Sequence, residues 1–182
     1  MNLNRRIQRL RESIVFQNRF ARLYNDDVRW PSGTEGTYLR LGSGDGRPGV
    51  VAVPVHQAKL GLVHVYRYPL DSWQWGFPRG FAQSDDILET AARELAEEMG
   101  VRGRLSFLGW FSPDSGIQTG RVGAVLAEVE DADGVPSDTD EVSEVCWLSV
   151  VELLERLGRG EFDDGMTMSA LALAVARGRV SL

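Results

Sequence analysis

Three glutamates, Glu94, Glu97 and Glu98, lie within the eight residues RELAEEMG that span positions 93–100. On a helix the spacing i, i+3, i+4 spreads their carboxylates over one arc of the surface. Left alone, Glu94 and Glu98 are an i,i+4 like-charge pair that weakens an isolated helix by about 0.2–0.5 kcal/mol. A hard divalent cation such as Mg2+ or Mn2+ favours carboxylate and water oxygens, so the arc is a candidate cation site. The spacing alone also fits a solvated acidic face. Arg93 is in reach of Glu97 at i+4 and of Glu89 at i−4, which suits it to orienting a ligand rather than touching substrate.

The local sequence predicts a helix over 84–99. Ser84 is the expected N-cap, with Asp85 and Asp86 in the first turn, where the helix dipole favours negative charge. Leu88, Ala92, Leu95 and Met99 are expected to share an apolar face that docks on a sheet. Gly100 follows as a left-handed end.

The elements that must position this helix are mostly strands. VVAVPVH (50–56), LGLVHVYRY (60–68) and WQWGFPRG (73–80) precede it, and RLSFLGWF, RVGAVLAEVE and EVSEVCWLSV follow. VVELLERLGRG and MTMSALALAVARG have helical periodicity, and each ends in glycine. The series is α+β, with a mixed or antiparallel sheet rather than alternating βαβ units. The glycine-rich run GSGDGRPG marks a seam, giving a β-rich N-terminal subdomain over 1–45 and a main domain over 46–182. Residues 4–12 are expected to form a short helix or to fray.

At 182 residues, 43% of them hydrophobic, the chain can bury a substantial core. A net charge of -6 argues against a general nucleic-acid binder, which relies on Lys and Arg to neutralise phosphates. It leaves room for a small phosphorylated ligand held through a metal. Cys146 is the single cysteine, so neither an intrachain disulfide nor a cysteine metal cluster can form. The N-terminus has no apolar signal core and no run reaches the length of a membrane span, so a cytoplasmic setting with no membrane partner is expected.

Residues 93–101, RELAEEMGV, match the second half of the Nudix signature G-x5-E-x7-R-E-U-x-E-E-x-G-U at every fixed position. The chain thereby resembles the Nudix hydrolases. The first half departs: the first glutamate of the signature falls on Asp85, and Gly80 stands one residue too close. The resemblance implies a Nudix fold, a mixed β-sheet sandwiched between helices. It implies Mg2+ or Mn2+ held by Glu97 and Glu98, with Glu94 as ligand or general base and the Arg79 carbonyl as a further ligand.

YRYPLDSWQWGFPRG is similar to the segment before this box in ADP-ribose pyrophosphatases and related nucleotide-sugar hydrolases. Where they carry Gln-Tyr-Arg and Glu-Leu-Pro-Ala-Gly, this chain has Val65-Tyr66-Arg67 and Gly76-Phe77-Pro78-Arg79-Gly80. The resemblance implies that Arg67 contacts substrate, since guanidinium pairs bidentately with phosphate. It extends to Pro113, in the loop after the box where ADP-ribose hydrolases carry a proline, as a further substrate-binding residue, and to an N-terminal β domain that builds a homodimer. Trp30, in a turn of that domain, would serve a dimer or nucleotide contact. Glu141, in the acidic run SDTDEVSEV, is the candidate general base outside the box, against the alternative of a solvated loop. Trp73, Trp75 and Phe77 are expected in the core, and His56 and His64 in ordinary β structure. Arg79's side chain is open to two readings, a phosphate contact or solvent.

The implied activity is hydrolysis of the pyrophosphate bond of a small nucleoside diphosphate derivative. ADP-ribose is the first choice, giving AMP and ribose 5-phosphate. The alternatives are another nucleotide-sugar or dinucleotide, or a non-catalytic Nudix sensor of such a metabolite.

Overall fold

The computed structural model describes residues 5–181, in two compact units. The first comprises 5–48 and 112–121. Its strands are β1 (Gln8–Arg11), β2 (Ile14–Gln17), β3 (Ala21–Arg29) and β4 (Glu35–Ser43). β4 pairs with the whole of β3, and β1 and β2 share the other edge of β3. The segment 112–121 joins this unit through Leu41, which exchanges backbone hydrogen bonds with Ile117 and Thr119. The helix or frayed end expected over 4–12 is instead β1, although Asn4 lies outside the described residues. Pairing with β3 and the Arg11–Asp27 ion pair supply what an isolated turn or two of helix lacks.

The second unit holds a seven-stranded mixed sheet, built from β5 (Gly49–His56), β6 (Lys59–Arg67), β7 (Ser72–Gly76), β8 (Arg79–Phe81), β9 (Gly103–Phe111), β10 (Val122–Val129) and β11 (Val142–Ser149). The order is β11-β6-β5-β10-β9, with β10 parallel to β5 and the other pairs antiparallel. β5 and β6 pair only beside their turn, at Val55↔Leu60 and His56↔Lys59. Beyond that point β7 takes over the edge of β6 and β8 the edge of β5.

Three helices complete this unit: α1 (Ile87–Met99), α2 (Val150–Gly158) and α3 (Gly165–Ala176). Strand alternation sends Val50 and Ala52 of β5 into a core with Ala91, Leu95 and Met99 of α1. Their neighbours Val51 and Val53 enter a second core with Ala170, Leu171 and Ala174 of α3. β5 is thus buried on both faces, which is why its sequence reads as a nearly continuous apolar run. The architecture is α+β, a mixed sheet between helices, as the sequence implied.

α1 differs in detail from its expected form. It starts at Ile87, and Asp86 rather than Ser84 is the N-cap, accepting hydrogen bonds from the amides of Leu88 and Glu89. Ser84 lies outside and donates to the Glu89 carboxylate at 2.6 Å. The apolar stripe runs through Ala91, not the exposed Ala92, because Ala91, Leu95 and Met99 follow one another at i, i+4, i+8 on the face that docks on the sheet. Gly100 ends the helix at φ 69°, as expected.

Phe77 is fully buried and Trp75 packs against the α3-side core, but Trp73 is 49% exposed. Its place at the start of β7 leaves it stacked on His64, ring centroids 5.2 Å apart, instead of in the core. Among the described residues no helix is long and apolar enough to cross a membrane.

Candidate active site

The docking of Ala91, Leu95 and Met99 on the sheet decides where the glutamates go. Glu94 and Glu98, one turn apart, flank that stripe and are carried inward, each only 6% exposed. Glu97, on the outer side, keeps a half-exposed side chain. The three carboxylates therefore form a buried pair with an outer third member, rather than one even fan.

Arg93 links the outer and inner members. It donates to Glu97 Oε2 at 2.6 Å and to Glu94 Oε1 at 2.5 Å. It also donates to the Phe81 carbonyl at 3.4 Å, which fastens α1 to the end of β8. The expected reach toward Glu89 is not used, since Glu89 is engaged by Ser84.

Glu94 lies directly against the backbone of Gly80. A Cβ at Gly80 would stand 2.0 Å from Glu94 Oε1 and 2.4 Å from its Cδ. Gly80 is thus the position next to the box helix where any side chain would displace the Glu94 carboxylate, despite the shorter loop that follows it. Burial pushes the Glu94 carboxyl above its usual pKa, and Arg93 opposes the shift. Glu98 is pushed up to about 8, first by burial and then by the charge of Glu94, with Arg67 and a backbone hydrogen bond at Arg79 opposing. Glu98 Oε2 is buried with no hydrogen-bond partner.

Arg67 ends β6 partly buried, with its Nε also lacking a partner. Burial, and next the positive charge of Arg79, hold its pKa below the ordinary guanidinium value, while Asp164, Glu98 and Glu141 oppose this. Glu141 is exposed in the loop before β11, its amide donating to Asp138 at 3.2 Å. Its charge acts on Glu94, Glu98 and Arg67 together.

Arg79 opens β8, and its side chain is not free in solvent. It donates to Asp164 Oδ1 at 2.6 Å, with side-chain exposures of 17% and 9%. Asp164 is the N-cap of α3, and its other oxygen accepts from the Thr167 amide and hydroxyl. Sequence reasoning missed Asp164 and Thr167. The spacing of an acid three residues before Thr, at the head of an apolar helix, was a legible cap signal. That the cap also holds Arg79, 85 residues away, was not.

The second unit thus brings together Arg67, Arg79, Arg93, Glu94, Glu97, Glu98 and Glu141. Trp30 and Pro113 belong to the first unit, Trp30 in the turn after β3 and Pro113 in the 112–121 segment. Among the described residues no three His, Cys, Asp or Glu side chains close on one point as a preformed cage. Arg93 draws Glu97 and Glu94 to itself instead. The donor set still suits a hard divalent cation: two carboxylates are buried side by side, Glu94 pushes the Glu98 carboxyl up, and one oxygen of Glu98 is orphaned. A cation there would relieve both.

The NUDIX domain family matches residues 46–168. Among curated relatives, the CMP-5'-(N-acetyl-N-hydroxy-3-aminopropyl)phosphonate hydrolase of Streptomyces rubellomurinus is 30% identical over 155 residues, covering 82% of this chain and 72% of that one. The ADP compounds hydrolase NudE of Escherichia coli is 25% identical over 162 residues, 87% of this chain and 86% of the relative. A crystal structure of an ADP compounds hydrolase superposes with a TM-score of 0.80 at 24% identity, over 96% of this chain and 97% of the other, a likeness of fold.

Proposed function

This chain belongs to the Nudix family and is a pyrophosphohydrolase of it, and from that premise we propose that it splits the phosphoanhydride of a nucleoside diphosphate derivative. ADP-ribose is the first choice, giving AMP and ribose 5-phosphate. The observation that carries this reading is the buried pair Glu94–Glu98, with an orphaned carboxylate oxygen, beside the half-buried Arg67.

Glu97 and Glu98, with Glu94 and the Arg79 carbonyl, would hold Mg2+ or Mn2+. When bound, such a cation neutralises the diphosphate and polarises phosphorus toward attack by water. Arg67 binds phosphate oxygens, and its desolvation strengthens that pairing. Glu141, or Glu94, accepts the proton of the attacking water. Arg93 holds Glu94 and Glu97 in place through its two short contacts.

The Streptomyces relative acts on a cytidylyl phosphonate, and this chain has Gly76 and Arg79 where ADP-ribose hydrolases have glutamate and alanine. These support a second reading in which the leaving moiety is another phosphorus acid joined to a nucleotide. The bond broken is of the same kind.

We also place the enzyme in the cytoplasm as a homodimer formed through its first unit. Supporting the dimer, Leu10, Ile14, Val15, Phe16 and Phe20 of that unit are all 44% exposed or more. Trp30 and Pro113 would then serve the substrate or the partner. Sedimentation analysis of wild type and Phe16→Glu tests this; a monomeric wild type removes it.

The central test is product chromatography after incubation with Mg2+ or Mn2+, across ADP-ribose, other nucleotide-sugars, dinucleotides and cytidylyl phosphonates. Release of a nucleoside monophosphate is expected, lost in EDTA and strongly reduced in Glu97→Gln and Glu98→Gln. No monophosphate from any compound would refute the proposal.

A further inference from the structure

The Arg79 side chain sits at the end of a built support. The amide of Phe77 donates to Thr167 Oγ at 2.9 Å, and that hydroxyl donates to Asp164 Oδ2 at 2.6 Å. Asp164 Oδ1 then accepts from Arg79 Nη1 at 2.6 Å. Thr167 is 4% exposed and Asp164 8%, so the chain of bonds is shielded from water. Both carboxylate oxygens of Asp164 are committed, whereas Arg79 donates through one of its five N–H groups.

Gly76 leaves this support uncrowded. A Cβ there would lie 3.0 Å from Thr167 Oγ and 3.2 Å from Asp164 Oδ2. A longer side chain would press on the bonds that hold Arg79. The two departures noted in the sequence, Gly76 and Arg79, are therefore one structural arrangement: the first leaves room for the support of the second.

The unmatched donors around Arg79 point to an anion. Arg67 feels Arg79 as its leading repulsive neighbour, while Asp164, which could neutralise one guanidinium, is bonded to Arg79. Arg67 Nε stays buried and unpartnered. Glu98 and Glu141 act on Arg67 through space, yet its Nε and the remaining N–H groups of Arg79 leave several donors unmatched. A diphosphate supplies anionic oxygens in the number and geometry that two forks require.

We propose that Arg79, aimed by Asp164, is a second phosphate-binding guanidinium that acts with Arg67 on the diphosphate, and that Asp164 is its positioning residue. This rests on the hydrolase reading above, and it adds a side-chain role to a residue assigned there only a carbonyl. Arg79 contributes ground-state and transition-state binding alike, so its loss appears mainly in KM.

The experiment compares wild type, Arg79→Gln, Arg79→Lys and Asp164→Asn. It uses steady-state kinetics on the best substrate of the panel, metal titration of activity, and calorimetric titration with inorganic pyrophosphate in Mg2+. Arg79→Gln should raise KM about ten- to hundredfold, with kcat changed much less. The Mg2+ concentration for half-activation should stay put, because every residue keeps a carbonyl at position 79. Lysine should recover part of the loss as a point charge, and Asp164→Asn should give an intermediate rise in KM. A folded Arg79→Gln protein whose KM and pyrophosphate affinity both stay within about twofold of wild type would overturn the proposal. Inactive wild type would instead sink the hydrolase reading. Pyrophosphate titration then judges the guanidinium pair separately: weaker binding by Arg79→Gln supports it, and equal binding ends it. If Arg79→Gln misfolds, Arg79→Lys and Asp164→Asn carry the same comparison.

Discussion

Gly80→Ala places one methyl group against the buried end of Glu94. The new Cβ would stand 2.0 Å from Oε1, where ordinary contact begins at 3.4 Å, so the carboxylate must retreat by about 1.4 Å. The atom in the way is the far end of a side chain, and the fold should absorb the change for about 1–3 kcal/mol. At this chain length that lowers Tm by about 2–4 °C per kcal/mol. The chemistry is less tolerant. Glu94 cannot retreat without disturbing its 2.5 Å contact with Arg93, which also holds Glu97. A misplacement of about 1 Å at a catalytic group can cost on the order of 10²-fold in rate. The expected result is a folded protein with a modestly lower Tm and kcat reduced about a hundredfold, read by calorimetry and product release on the same preparation. A folded Gly80→Ala enzyme with wild-type kcat would refute the reasoning, because Glu94 would then have no need of that position.

In EDTA, wild-type stability should fall as pH rises from the ordinary glutamate range toward 8. Glu98 has a folded pKa raised to about 8, so the folded state binds more protons across that window. The slope approaches about 1.4 kcal/mol per pH unit per group, and Glu98→Gln should reduce it; an unchanged slope in urea titrations at several pH values would contradict the burial argument. Cys146, half-buried and pushed up to about 11, should be only about one part in 10³ thiolate at pH 8. Iodoacetamide should therefore label it slowly until the protein unfolds, and rapid native labelling would be inconsistent with its burial. Gly100→Ala should destabilise by about 1–3 kcal/mol in a urea midpoint, since φ is 69° and the Val135 carbonyl would lie 2.2 Å from the new Cβ. No shift in midpoint would mean the helix end is not held as described.

Much of the site was legible because its signals are local. The signature at 93–101 depends on side chains one helical turn apart, and Gly100 ends its helix through its own backbone preference. Helix starts were less legible: Ser84 and Asp86 are both good caps, and the choice fell to Asp86, which bonds two amides at the head of α1. Trp73 looked like core because tryptophan in a strand usually is, but an exposed strand start leaves one ring outside. Residues 8–11 had helical composition, yet pairing with β3 made them a strand.

By itself the sequence determined the acidic helix, its apolar stripe, the α+β order of elements and the family resemblance, all properties of neighbours along the chain. Only the tertiary structure decided which glutamates are buried and that Gly80 makes room for one of them. It also decided that Asp164 reaches Arg79 and that Gly76 clears their space. The physical reason is that burial and charge pairing depend on what arrives from elsewhere in the chain. Residues 79 and 164 meet only once the sheet has brought β8 beside the head of α3.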